Sequence, residues 1–126
     1  MNLSLRHVLY SGLTLALLLV IGWSALRDSS PLPYVIPKQD KFEHLLAFAA
    51  MHLWLTVLFR GRYLGRITLV CVLAAFGVEI AQWALTTTRE PSWKDAVASL
   101  LGVFSAAAFQ ILVRRLVRMF RAAKAE

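Results

Sequence analysis

Four apolar stretches, Val8 to Leu26, Phe42 to Phe59, Ile67 to Thr86 and Ala96 to Val113, take up most of this 126-residue chain. Each approaches the roughly 20 mostly apolar residues that an α-helix needs to cross about 30 Å of hydrocarbon. A soluble domain this small leaves a large share of its residues facing water, which does not suit a chain that is 59% hydrophobic. The blocks leave no room for a separate soluble domain. The sequence therefore predicts an all-α, polytopic membrane protein: one domain over residues 1–126, a four-transmembrane-helix bundle with a basic tail from residue 114 to 126.

The formal net charge of +7 invites a nucleic-acid reading, since basic patches attract phosphate backbones. The basic residues instead fall in the gaps between apolar blocks, so no nucleic-acid partner is expected. Lys and Arg concentrate on the cytoplasmic side of short loops. The N-terminus (Arg6), the second gap (Arg60, Arg62, Arg66) and the tail (Arg114, Arg115, Arg118, Arg121, Lys124) hold nine of them. The first gap (Arg27, Lys38, Lys41) and the third (Arg89, Lys94) hold five, offset by Asp28, Asp40, Glu43, Glu90 and Asp95. This bias places both termini and the Arg-Gly-Arg turn in the cytoplasm and the other two gaps outside. The basic start and apolar centre of the first block also fit a cleaved signal peptide, but its apolar run is long and no clean small-x-small site follows it. Cys71, the single cysteine, lies inside an apolar block and reads as a small buried hydrophobe.

Pro31, Pro33 and Pro37 rule out a continuous helix after the first block. Tyr34 and Trp23 are placed there to sit at headgroup level. Asp40 stands where a carboxylate caps a helix, and Pro91 and Ser92 mark another helix start with Asp95 in or near its first turn. Along the fourth block Ala98, Gly102 and Ala106 recur at four-residue spacing. Small residues at that period let helix backbones approach closely in lipid. That face serves equally for the bundle core or for a homo-oligomer. Beyond it, Arg114 to Lys124 alternates basic and apolar residues, either extending the helix along an anionic surface or anchoring the topology.

Ionisable side chains at mid-helix cost ~2.5–3.5 kcal/mol on insertion scales, so each is a functional hypothesis. Glu79, Gln82 and Thr86 form one polar stripe. Lys41, His44, Phe48 and His52 form a second, and Asp95, Ser99 and Gly102 a third. All three open toward the predicted outer face, with Glu79 about 12 Å in from the helix end. Together they outline a polar pocket in the outer leaflet, with Glu79 and Gln82 as its floor and Lys41, Arg89 and Lys94 at its rim. His44, Glu79 and Asp95 are the candidate acid/base or orienting groups, beside cations able to hold an anionic headgroup.

Each residue also has a plainer role. Glu79 can clasp Arg89, Lys41 or His44 between helices, Asp40 and Asp95 can be caps, and His52 a packing histidine. His44, Glu79 and Asp95 are metal-ligating residue types, but no tight spacing such as H-E-x-x-H links them. The sequence thus names no metal and no cofactor.

In order and spacing, Asp40-Lys41-x-x-His44 with Phe48, Glu79-x-x-Gln82, and Arg89-x-x-Ser92-x-x-Asp95 followed by Gly102 resemble the VanZ-like family of small bacterial membrane proteins. The resemblance runs from Asp40 onward. It implies a multi-pass protein of the bacterial cytoplasmic membrane, in a family named for a protein linked to teicoplanin resistance and whose members mostly have no assigned reaction. Ser99 stands where the family pattern usually has Asn; serine still donates and accepts, but lacks the amide's two donors. The site is thus expected to bind, or chemically modify, an anionic envelope lipid or glycolipid. Arg89, Lys94 and Lys41 would hold the headgroup, His44 or Glu79 would accept a proton, Asp95 would orient His44 or Arg89, and Asp40, Gln82, Ser92 and Ser99 would line the site. The alternatives are a structural or regulatory subunit whose polar residues only clasp helices, and a small-solute or proton pathway.

Overall fold

The computed structural model describes residues 3–26, 33, 35, 37–86 and 92–124. Four α-helices account for nearly all of them: α1 (Leu3–Leu26), α2 (Gln39–Leu58), α3 (Leu64–Leu85) and α4 (Trp93–Ala123). Three, α1, α3 and α4, are long and apolar enough to cross a membrane. α2 falls short of that composition because Gln39, Asp40, Lys41, Glu43, His44 and His52 interrupt its apolar residues. At ~1.5 Å per residue its 20 residues still span about 30 Å.

Helix boundaries follow local chemistry. α2 begins after Lys38, which takes a left-handed φ of 61° and serves as N-cap without a side-chain bond. Asp40 lies inside the first turn and pairs with Lys41, so it is not the cap that its position suggests. Gln39, buried, is the residue that fastens this entry. Its amide donates to the Pro33 carbonyl at 2.9 Å and to Glu43 at 2.9 Å, and its carbonyl accepts from Val35 N–H at 2.7 Å. Three prolines remove backbone donors from this segment, so one side chain does the work that a ladder would do elsewhere. The α2–α3 turn carries Arg60, Gly61 and Tyr63 at positive φ. Gly61 at φ 73° suits that geometry, and its carbonyl accepts from Arg114 at 2.5 Å, tying the turn to α4.

α2 packs most extensively on α4, while α1 packs on α2 and α3 among the described residues. None of Leu5–Gly22 is buried. α1 is fastened by Trp54, whose indole N–H donates to Thr14 Oγ1 at 2.8 Å. Contacts at both ends, Lys41 to Asp95 and Gly61 to Arg114, make α2 and α4 parallel, with α3 running against them. The core is Phe48, Met51, Ile67, Cys71, Ala75 and Val103; Cys71 is the buried small hydrophobe expected of it.

Gly102 sets the distance between α2 and α4. A Cβ there would land on the Leu45 carbonyl, 3.0 Å from its carbon and 3.1 Å from Ala49 N. Ala98 and Ala106, one turn either side, are buried with it. This face therefore packs on α2 within the chain, the bundle-core role that its spacing allows. α4 continues as helix through Ala123, 31 residues or about 46 Å. That is longer than the hydrocarbon thickness, so the stretch after Val113, with Arg114, Arg115, Arg118 and Arg121, projects as a largely exposed basic helix.

Candidate functional site

The first turns of α2 and α4 and the last turns of α3 meet at one end of the bundle, and their polar stripes converge there. One donor atom each of His44, Glu79 and Asp95 lie within 4.8 Å of one another. Glu79 and Asp95 are buried, and His44 is half-buried. Residues from three helices, up to 51 positions apart (95 − 44), thus share one small volume.

Each member has an identifiable support. Lys41 Nζ lies 2.9 Å from Asp40 Oδ2 and 3.1 Å from Asp95 Oδ1, so one ammonium serves two carboxylates on different helices. His44 Nδ1 and Ser99 Oγ are 3.2 Å apart. Glu79 Oε2 accepts from the Ser92 backbone N–H at 3.1 Å, so Ser92, the N-cap of α4, contributes its main chain. Asp95 lies in the first turn of α4, and its carboxylate faces Lys41 instead of capping that helix. Gln82 is buried one turn from Glu79, and its main-chain carbonyl accepts from the Thr86 hydroxyl. Ahead of the apolar run of α2, burial pushes the Asp40 carboxyl upward, but the hydrogen bonds and charge of Lys41 outweigh it and hold the group below the usual value. Lys41 is raised, first through its hydrogen bond to Asp40.

Not every expected residue is gathered in. Lys94 is exposed, its ammonium 5.8 Å from the centre of the Trp93 ring. Arg89, like Tyr34 and the Trp23 side chain, lies outside the described residues. The charged side chains described at the site are Lys41 with Asp40, Glu79 and Asp95, so its described part is more acidic than the predicted cationic rim.

A second polar cluster lies deeper on the same seam. His52, fully buried, has Nε2 2.9 Å from Thr68 Oγ1 and Nδ1 3.2 Å from Gln110 Nε2. Since the Thr68 hydroxyl donates to the Leu64 carbonyl at 2.8 Å, His52 Nε2–H donates to Thr68 and Nδ1 accepts from Gln110. The packing role expected of His52 is thus a three-helix clasp. Its partner Gln110 was discernible in principle: Asp95, Ser99, Gly102, Ala106, Gln110 and Arg114 recur every three or four residues along one face of α4.

No family model matches this chain, and no curated protein or solved structure matches it either.

Proposed function

We propose that this chain is a multi-pass protein of the bacterial cytoplasmic membrane, resembling the VanZ-like family, that binds the anionic headgroup of an envelope lipid or glycolipid at the Lys41–His44–Glu79–Asp95 site. In this reading all four helices span the bilayer, both termini are cytoplasmic, and the site opens to the outer leaflet. α2 crosses because α4 and α3 shield its polar face, leaving Phe42, Leu46, Leu53 and Val57 toward lipid. The observation that carries the reading is the convergence of acid/base and cationic side chains from three helices at one end of an otherwise apolar bundle. A clasp alone needs no such set, because the His52 cluster ties the same three helices with neutral groups. For a solute or proton pathway, fully packed Phe48 and Val103 stand between the two clusters.

The test is lipid retention by native mass spectrometry after extraction from nanodiscs of phosphatidylglycerol or phosphatidylcholine. Wild type should retain the anionic lipid selectively, and His44→Ala with Lys41→Ala should lose it. Equal retention of both lipids, or wild-type retention by the double variant, defeats the reading. The teicoplanin link that the resemblance implies predicts a lower inhibitory concentration on deleting the gene from its host.

A further inference from the structure

We propose that His44, Glu79 and Asp95 bind a divalent transition metal of the zinc class, with an open coordination position for a headgroup phosphate oxygen.

The donors fit in kind, number and distance. One imidazole with two carboxylates gives three protein ligands, the number that leaves zinc a fourth position for water or another oxygen. At metal–ligand distances of about 2.0–2.2 Å, tetrahedral donors stand roughly 3.3 Å apart. The observed spread of at most 4.8 Å closes to that by small side-chain rotations. Calcium and magnesium prefer all-oxygen shells, whereas imidazole favours zinc and its neighbours.

The surroundings also suit a metal. A ligating histidine normally donates its other ring N–H to a fixed acceptor, which sets the tautomer. Ser99 Oγ stands in that place beside His44 Nδ1, leaving the Nε2 lone pair for the ion. The Ser92 N–H holds one oxygen of Glu79 and aims its carboxylate. Lys41 is poised to yield: its ammonium touches Asp95 but is equally held by Asp40. A dication arriving at Asp95 displaces Lys41 toward Asp40 without leaving either charge unpaired. Lys41 is therefore a competitor for the metal, and its removal should tighten binding.

The metal site stands on these donors; its part in headgroup capture rests on the function proposed above. The test uses the full chain in detergent, stripped with chelator, then titrated with Zn²⁺ by calorimetry and with Co²⁺ by visible absorbance. Wild type should bind one equivalent, with the cobalt spectrum of a low-coordinate nitrogen–oxygen site and a raised Tm. His44→Gln and Asp95→Asn should each weaken binding at least tenfold, and Lys41→Met should strengthen it severalfold. Absence of stoichiometric binding, or binding unchanged in both ligand variants, overturns the site. Should His44→Gln fail to fold, Ser99→Ala, which keeps every ligand, should still weaken binding; wild-type affinity in it and in Asp95→Asn overturns the site equally. Repeating the phosphatidylglycerol retention with and without EDTA separates the two proposals. Zinc binding without lipid retention keeps the metal and removes the headgroup, and retention indifferent to EDTA with no zinc bound does the reverse.

Discussion

His44 and His52 lie eight residues apart on one face of α2, about 12 Å along the helix, and each meets a polar side chain of α4. Their surroundings differ in kind. Around His52 the groups are neutral and their donors are used up in sequence: Gln110 to His52, His52 to Thr68, Thr68 to a carbonyl. Around His44 the groups are charged, and one ammonium is divided between two carboxylates. A chain of neutral groups that bond one another across three helices locks those helices together. A charged set drawn together from three helices at the end of the bundle suits a ligand. Membrane interiors penalise both, but only the second carries a cost large enough to need a functional reason.

The strongest test of the comparison attacks what both clusters share. Gly102→Ala places a methyl on the Leu45 backbone, which cannot move as a side chain would. Overpacking typically costs ~1–3 kcal/mol and occasionally more, and backbone contact puts this case at the upper end. Thermal unfolding in detergent should show a large loss, with metal and lipid binding lost together because α2 and α4 no longer meet. Wild-type stability in Gly102→Ala would mean that the seam is not the joint holding either cluster.

Next in size is His52→Leu, which removes the middle of the neutral clasp. Interhelical hydrogen bonds in membranes average ~0.6 kcal/mol and reach about 1.7, so two lost bonds predict a drop of about 1–2 kcal/mol. Ligand binding should survive. If His52→Leu leaves Tm untouched but abolishes lipid or metal binding, the two clusters form one functional chain and the contrast between them fails. Asp95→Asn is the mirror experiment. Lys41 keeps Asp40 as partner, so no buried charge is left uncompensated, which is what makes breaking a buried pair costly. Its stability should change by less than ~1 kcal/mol while binding falls; a large stability loss would reduce the end cluster to a second clasp.

The same contrast explains what sequence could and could not disclose. Apolar blocks and polar stripes are periodic, so the four helices, the meeting of His44, Glu79 and Asp95, and the Ala98–Gly102–Ala106 seam could all be read from spacing. Partnerships across the bundle could not. The pairing of His52 with Gln110 depends on helix rotation and axial register, which spacing on one helix does not fix. The role of Gln39 has no periodic signal, because two of its bonds go to the backbone of a proline-rich segment whose path no periodicity describes. Asp40 occupies a cap-like position, yet a left-handed Lys38 caps the helix two residues earlier and frees the carboxylate for Lys41.

The smallest expected effect tests whether the Asp40–Lys41 pair belongs to the fold or stands ready for the ligand. Asp40 is held below its ordinary value of 3.8 in the folded protein, against the opposing pull of burial, by Lys41. A depressed carboxylate stabilises the fold above the unfolded-state value and loses that contribution as pH falls through the lower, folded value. Lys41, raised above 10.5, contributes fully below that value and loses its contribution as pH climbs through the higher, folded one. The pair therefore adds a flat increment to stability across neutral pH that declines below about pH 4. Asp40→Asn should lower Tm slightly at pH 7 and flatten the acid limb of the stability curve, with little change in metal affinity if Lys41 leaves Asp95 without Asp40 to draw it. Should Asp40→Asn weaken metal binding several-fold, that is the expected mark of a Lys41 left without its second partner and pressed permanently onto Asp95. The two outcomes distinguish a lysine free to leave Asp95 from one that Asp40 must draw away.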